Sequence, residues 1–439
     1  MRKFLLALIA VVSIVVLRAN TPSVFAIRGA RIVTAAGAPI ESGTVVIRGR
    51  TIEAVGASLT VPSDASVIDA GGLTVYPGLI DLGNTRAADQ PAPQPPNART
   101  SAELERWKRG QVLKPQSRAA DAVKVDDAEL TKLAAAGITS VLALPSGDVI
   151  SGQSALVNVV APPDDPQIGN IVESRRGLVV VKSPVALHVS FPDRPRAGGN
   201  AYPASLMGVI AFVRQSFLDA QHYATTRQPD DPALEAMQPA LERKLPVAFE
   251  ATEVRQIVRA LKMAKELKLD PIVTGALEAH EVTADLKAQN ARVIYSLNYP
   301  QRPRALAPDD DESYHTLRER ADAPKTPAEL AKAGVPFGFS TSGLSEARDF
   351  VRNAAKAVKA GLPEDAAIRA LTSGAASIAG VADRLGSIEK GKIANLFITD
   401  GNLFDEKTKI TKVFVEGRAV SIDTTAPSPA GRGRGRGVR

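Results

Sequence analysis

Four histidines set the first limit on the chemistry that this chain could perform. They are His188, His222, His280 and His315, and the chain has no cysteine. No two of them form the H-x-H, H-E-x-x-H or H-x-x-x-H spacing that brings imidazoles together on one strand or helix. The sequence therefore predicts no zinc site built from several histidines or from thiolates.

Other polar segments are also weak candidates for a reactive site. Ser151–Ser154 lacks the G-x-S-x-G elbow, and no histidine has an assignable role beside it, so a serine hydrolase is not favoured. Asp309–Glu312 lacks the alternating spacing and turn glycine of an EF-hand, so we interpret it as a solvated loop. His188 follows a strand-like run and is interpreted as a satisfied, partly buried imidazole, with a place at a barrel mouth as the alternative.

The positive charge is concentrated at the two ends of the chain. The net charge is +7, of which +3 lies in residues 1–26 and +3 in residues 421–439. The part between them is almost neutral, so we predict no nucleic-acid-binding face on it. Residues 421–439 consist mainly of Arg, Gly, Pro and Ser, and we expect a disordered tail.

The N-terminal segment has the pattern of an export signal. Arg2 and Lys3 precede the apolar run Phe4–Leu17, and Val24–Ala26 supplies small residues for cleavage. The apolar run is short for a membrane span. We predict a signal peptide over residues 1–26, with an uncleaved anchor as the alternative. Either would place the rest of the chain outside the cytoplasm, in the periplasm or beyond, with no other membrane contact.

Both flanks of the long central part are rich in short strands. Alternating apolar residues separated by glycine run through residues 27–72, and similar runs occur at 394–399 and 412–417. Neither flank has enough strands for a stable core of its own. We therefore predict that residues 27–72 and 385–420 together form one small β-sandwich domain.

Between the flanks the pattern changes to α/β units. Residues 131–144 contain a helical run, a glycine stop and a buried strand, and Thr326–Glu329 has the pattern of a capping box that starts another such unit. Repeats of this kind predict a parallel sheet, and over residues 73–384 a (β/α)8 TIM barrel is the simplest solution. Asp89–Ser117 is predicted to be a long loop with a helical piece at Ala102–Lys108.

Several segments resemble one protein family. Gly72–Asp81, the helix Gly361–Thr372 and the run Ala375–Ile398 resemble the first barrel strand, last barrel helix and closing segment of the amidohydrolase superfamily. The helix Gly208–Gln221 is similar to that of secreted bacterial imidazolonepropionase-like amidohydrolases. The resemblance covers residues 27–420. It implies the barrel fold and metal-dependent hydrolysis of C–N bonds other than peptide bonds, with zinc or another divalent metal as cofactor.

The same resemblance shows which metal ligands this chain lacks. The family's ligand positions correspond here to Gly83, Thr85, Glu250, Gly275 and Ser342. A hydrolytic metal site needs about three to five ligands to activate water. Glu250 alone could bind a cation, so we predict no bound metal, no other cofactor and no catalytic residues of the family type.

Loss of the metal would not fill the mouth of the barrel, where barrel enzymes place function. We predict a ligand pocket there whose lining includes Asn84, Thr85, Glu250, Thr274 and Ser342. One carboxylate among neutral hydrogen-bonding groups suits a small polar or cationic ligand better than a phosphate.

Three classes of function remain after these arguments. The first is a metal-dependent hydrolase. The second is a pseudoenzyme that binds a ligand, pairs with an active amidohydrolase subunit or forms a homo-oligomer. The third is an active hydrolase with a rebuilt, metal-free site for a small cyclic amide or related substrate. The histidine inventory favours the second class.

Overall fold

The protein is described from a computed structural model. It describes residues 23–422 apart from 86, 88–96, 125–126, 148, 161–173, 176–177, 194–201, 229, 304 and 308. Most of the predicted signal peptide, and all but two residues of the predicted tail, lie outside the described residues. No helix within the described part of the chain is long and apolar enough to cross a membrane.

Strands dominate the first part of the chain, and strands and helices alternate afterwards. The strands are β1 (Val24–Ile32), β2 (Ile40–Arg48), β3 (Thr51–Gly56), β4 (Ser66–Asp69), β5 (Thr74–Pro77), β6 (Leu79–Asn84), β7 (Ile138–Ala143), β8 (Ile150–Gln153), β9 (Ala155–Asn158), β10 (Ser174–Arg175), β11 (Leu178–Lys182), β12 (Leu187–Val189), β13 (Val247–Ala251), β14 (Pro271–Gly275), β15 (Arg292–Ser296), β16 (Phe337–Ser340), β17 (Leu396–Thr399), β18 (Ile410–Val415) and β19 (Arg418–Val420). The helices are α1 (Ser101–Val112), α2 (Asp127–Ala135), α3 (Leu206–Thr226), α4 (Pro232–Ala236), α5 (Gln238–Leu241), α6 (Val254–Glu266), α7 (Thr283–Ala288), α8 (Tyr314–Asp322), α9 (Thr326–Ala333), α10 (Asp349–Lys359), α11 (Glu364–Leu371) and α12 (Ser373–Ala379).

One eight-stranded sheet combines strands from both flanks of the chain. Its order is β19-β18-β17-β5-β1-β2-β3, with β4 also paired to β1. β5 and β17 are antiparallel, with Thr74 opposite Thr399. Phe25 in β1 packs edge-on against Phe414 in β18, so the sheet begins before the predicted domain start at residue 27. The strands form a single sheet, which does not confirm a sandwich, and the boundaries at 72 and 385 remain predictions.

Two further sheets carry the parallel strands. One has the order β10-β11-β9-β7-β6 and the other β16-β15-β14-β13-β12-β8. Strands β12 to β16 run parallel to one another, as do β6 and β7, with helices in the connections. The pairs β8–β12 and β7–β9 are antiparallel. No backbone ladder joins the two sheets in the described residues. The structure is thus mixed α/β, and a closed barrel is not confirmed.

The start of α9 differs from the predicted capping box. Thr326 is already the first helical residue, and Lys325 is the N-cap without a side-chain cap bond. The Thr326 hydroxyl instead donates to the carbonyl of Leu277 at 2.9 Å. It also lies 2.9 Å from Nδ1 of His280. Contacts with the segment that follows β14 have therefore replaced the local cap that the sequence pattern predicted.

A buried polar network joins the eight-stranded sheet to the parallel strands. Glu416, at the end of β18, pairs with Arg50 at 2.6 Å and accepts a hydrogen bond from Asn158 of β9. The Asn158 amide oxygen accepts from Ser140 at 2.7 Å and from Asn395 at 2.9 Å. Because a buried carboxylate is costly without partners, this network fixes how the two parts meet.

Candidate functional site at the strand ends

A cavity of about 1130 Å³ lies where the parallel strands end. Its lining includes the last or penultimate residues of four consecutive strands, which are Glu250, Thr274, Ser296 and Ser340. Successive parallel strands place these residues side by side, because Glu250 is opposite Thr274 and Ser296 is opposite Ser340. The arrangement produces a polar rim at one edge of the sheet.

The deeper wall of the cavity is apolar. Leu82, Leu144, Ala248 and Ile294 line it. Leu82, Ala248 and Ile294 are buried and belong to a cluster that fills the space beneath the strand ends. The cavity is therefore amphipathic, with an apolar floor and hydrogen-bonding groups at the rim, as in many small-molecule sites.

Most residues predicted from the sequence to form the pocket lie on this one cavity. Thr85, Glu250, Thr274 and Ser342 line it, as do Gly83 and Gly275. Asn84 does not. It is buried and lines a neighbouring cavity of only about 20 Å³, which it shares with Thr85.

Asp81 is the buried carboxylate next to this site. Thr341 donates to it twice, from the backbone N–H at 2.8 Å and from the hydroxyl at 2.5 Å. The backbone N–H of Gly83 and the side-chain amide of Asn84 add bonds of 3.0 and 3.3 Å. Burial is the largest influence and raises the pKa of Asp81, although these donors act against it. No role for Asp81 was predicted from the sequence.

Hydroxyl groups fill the space in front of Gly83. A Cβ atom at this glycine would lie 2.4 Å from Oγ of Ser340 and 2.7 Å from Oγ of Ser342. Both hydroxyls donate to the Gly83 carbonyl, at 3.3 and 3.0 Å. A side chain at this position would therefore require the hydroxyls of Ser340 and Ser342 to move away.

Gly275 has a different restriction. Its φ of +89° is one that side-chain-bearing residues rarely adopt, and an added Cβ would meet the Thr252 hydroxyl at 2.9 Å. Glycine is therefore favoured by the backbone conformation at Gly275 and by the two nearby hydroxyls at Gly83.

Glu250 is exposed to the cavity and has no hydrogen bond or ion pair among the described residues. Its neighbour Thr274 donates its hydroxyl to the carbonyl of Phe249 at 3.3 Å, so it is held by the backbone. Glu250 is therefore the carboxylate of the rim that is available to a ligand.

His188 lies deeper in the same cavity than Glu250. It is opposite Ala248 in the β12–β13 pair, and Glu250 follows two residues later on the same face. This places the two Cα atoms about 8 Å apart. Nε2 of His188 is buried and has no hydrogen-bond partner in the described part of the chain. Burial lowers its pKa to about 4, so the ring is neutral at pH 7. The interpretation as a satisfied imidazole was wrong for this atom.

Helix α1 supplies the opposite side of the cavity, where the sequence predicted only a loop with a shorter helical piece. Trp107 and Gln111 of this helix line the cavity. The amide nitrogen of Gln111 donates to the Trp107 carbonyl at 3.3 Å, while its Oε1 is buried without a partner. The helix is tied to β8 because Lys114 donates its backbone N–H to Ile150 at 2.8 Å.

The described residues contain no group of three or more His, Asp or Glu side chains placed to hold a metal ion. His188 and Glu250 line the cavity together, but Asp81 uses its oxygens in the bonds to β6 and to Thr341. The described lining offers a ligand the Glu250 carboxylate, the His188 imidazole, the amides of Gln111 and Asn298, the Lys114 ammonium group and a set of hydroxyl groups.

Two sequence comparisons both find similarity to amidohydrolases. Residues 283–420 match the model of the Amidohydrolase family. The amidohydrolase tasK of Hapsidospora irregularis is 24% identical over 384 residues, which are 82% of this chain and 37% of that protein. The chain therefore spans little more than a third of that relative's length.

Solved structures share the fold. An amidohydrolase from Thermotoga maritima aligns with a TM-score of 0.73 and 21% identity, covering 91% of this chain and 100% of that chain. A Xaa-Pro dipeptidase with methionine bound in its active site aligns with a TM-score of 0.54 and 16% identity, with the same coverage. Residues 283–420 thus match the Amidohydrolase family model, and the chain shares its overall fold with a solved amidohydrolase.

Proposed function

We propose that the whole chain is an imidazolonepropionase-like amidohydrolase by descent that has become a pseudoenzyme. In this proposal its mouth binds a small polar or cationic ligand and performs no zinc-dependent hydrolysis. The observation that carries the proposal is the Gly83 contact, because Ser340 and Ser342 stand where a side chain at that position would have to project.

A zinc ion does not fit these residues. Zinc in proteins takes three or four nitrogen, oxygen or sulfur ligands at about 2.0–2.3 Å. Gly83 and Gly275 have no donor atom, and the hydroxyls of Ser340 and Ser342 are engaged by the Gly83 carbonyl. Glu250 and His188 are the ligand groups that remain, and two ligands leave a zinc ion mostly coordinated by water.

The lining supports ligand binding in place of hydrolysis. The cavity is large enough for a small molecule, and its polar lining includes the exposed Glu250 carboxylate, a rim of hydroxyls, the amides of Gln111 and Asn298, and Lys114. No arginine belongs to its described lining, and Lys114 has an interaction of its own within the chain. Phosphate groups are usually bound by arginine or by a helix N-terminus, so a neutral or cationic ligand is the better match.

The test combines metal analysis with ligand screening on the purified protein. After incubation with zinc and dialysis against a mild chelator, we expect far less than one zinc per chain. A metabolite library with EDTA present should still yield ligands that raise the melting temperature and show saturable binding by calorimetry.

Two outcomes would contradict this function. About one retained zinc per chain, with turnover of a cyclic amide that EDTA abolishes, would show a working hydrolase. Failure of every library compound to bind, together with a stable complex with an active amidohydrolase, would show that the protein acts through a partner surface.

A further inference from the structure

Three groups that can accept hydrogen bonds belong to residues that line the cavity, and these groups have no partner among the described residues. They are the exposed Glu250 carboxylate and two buried atoms, Oε1 of Gln111 and Nε2 of His188. A buried polar atom without a partner carries a desolvation cost that a hydrogen-bond donor would remove. Their presence on one cavity is a second observation, independent of the missing metal ligands.

The orientation of Gln111 is set by the protein. Its amide nitrogen donates to the Trp107 carbonyl at 3.3 Å, so the amide oxygen must occupy the other position. Exchanging the two atoms would bring two oxygens together. Gln111 is 7% exposed, so the unpaired Oε1 belongs to a well-packed side chain.

His188 is an acceptor in one tautomer. Because the ring is neutral, one nitrogen carries a proton and the other has a free lone pair. A proton on Nδ1 leaves Nε2 as an acceptor. Gln111 and His188 are close in the fold because both of their elements contact β8. The segment after α1 hydrogen-bonds to β8 at Ile150, and β8 pairs with β12 at His188.

We propose that the ligand of this mouth is an organic cation with several N–H donors, of the amine, amidine or guanidine class. Glu250 neutralises its charge, and the side chains of Gln111 and His188, whose free acceptor atoms are buried without the ligand, turn towards it to accept its remaining hydrogens. This inference rests on the proposed ligand-binding function and specifies its chemistry.

Two other features of the lining agree with such a ligand. Trp107 provides an indole ring, whose face attracts cations. The apolar floor formed by Leu82, Ala248 and Ile294 can take the hydrocarbon part of an alkylated amine or guanidine. Lys114 also lines the cavity, but it has an interaction of its own within the chain.

The experiment compares four probes that share a four-carbon chain, by calorimetry on the full protein with EDTA present. The probes are n-butylguanidinium, n-butylammonium, butanamide and butyrate. We expect the two cations to bind at least about tenfold more tightly than the neutral amide, and butyrate to bind least well.

Substitutions in the cavity test which side chains bind the probes. Glu250→Gln should remove the preference for cations, and Gln111→Leu should weaken n-butylguanidinium about tenfold. Glu406→Gln is the matched control, because it removes one exposed carboxylate that does not line the cavity. It should leave all four affinities unchanged.

The failures of the two proposals are distinguishable. If butanamide or butyrate binds more tightly than the cations, or if Glu250→Gln changes nothing, the cationic ligand is wrong while the binding cavity stands. If neither these probes nor any library compound binds, the proposed function itself is wrong.

Discussion

The hydroxyl of Thr341 donates a hydrogen bond of 2.5 Å to the buried carboxylate of Asp81, across the junction between β16 and β6. The Thr341 backbone N–H donates to the other carboxylate oxygen at 2.8 Å. These two strands share no backbone ladder in the described chain. The Asp81 side chain therefore connects β16 to β6, whereas the other parallel strands are connected by main-chain hydrogen bonds.

Thr341→Val tests this relationship. The substitution keeps the shape of the side chain but removes one donor from a buried carboxylate. We expect a loss of about 1–3 kcal/mol in the free energy of unfolding, measured in urea. Thr341→Ser should lose less, because it keeps the hydroxyl. Thr51→Val, at an exposed strand position, is the control. Equal stabilities of the three variants would show that the bond contributes nothing.

Asp81→Asn tests the effect of burial on this carboxyl. Burial raises the pKa of Asp81, so the folded state holds the proton more tightly than the unfolded state does. The contribution of Asp81 to stability must then fall as pH rises above the usual carboxyl range. We expect the unfolding free energy of the parent, minus that of the variant, to decrease from about pH 4 upward. An increase would mean that the four donors outweigh burial.

Gly83→Ala tests the tight contact in front of β6. The new methyl group would overlap the Ser340 hydroxyl, and overpacking of this kind costs about 1–3 kcal/mol. Adding Ser340→Ala should recover part of the loss, since it removes the nearest atom. Gly37→Ala is the control, because nothing lies within 4 Å of its added Cβ. Thermal unfolding of all four proteins gives the comparison, and an unchanged Gly83→Ala melting temperature would refute the contact.

His188→Gln tests the buried imidazole. Burial lowers the pKa of His188 to about 4, compared with the usual 6.5. As pH falls between these values the unfolded chain takes up a proton that the folded protein does not, so stability falls. Since the ring is partly exposed to the cavity, we expect the parent to lose roughly 2 kcal/mol more than the variant between pH 7 and pH 4.5. Urea denaturation measures this. His222→Gln, at an exposed position, should behave as the parent does.

The alternation of helices and buried strands was predictable because it depends on local periodicity. Ile138–Leu144 was expected to be a buried strand, and β7 covers Ile138–Ala143 with every residue buried. The first and last residues of helices and strands were harder to predict from periodicity. Helix α1 extends from Ser101 to Val112, beyond the predicted piece, and the extension contains Gln111.

The polar rim could be placed in part. The resemblance to the amidohydrolase superfamily placed Thr85, Glu250, Thr274 and Ser342 at strand ends, where barrel enzymes have their functional residues. Asn84 was included on the same basis, but its side chain turns towards Asp81 at 3.3 Å.

The role of Asp81 could not be predicted from its sequence neighbours. Its main donor, Thr341, is 260 residues away along the chain. The same applies to Gly83. The sequence shows that a side chain is missing there, but only the structure shows that Ser340 and Ser342 occupy the space. Contacts between distant strands are tertiary properties, and local patterns do not contain them.

The eight-stranded sheet has a consequence for how the protein is made. β1 and β2 can pair as soon as both have left the ribosome, but β5 must wait for β17, with Thr74 and Thr399 separated by 325 residues. During translation, at about 5–20 residues per second, the β5 edge stays open for tens of seconds. Open edges of this kind are where newly made chains aggregate, so a chaperone that covers extended segments would act on this one first.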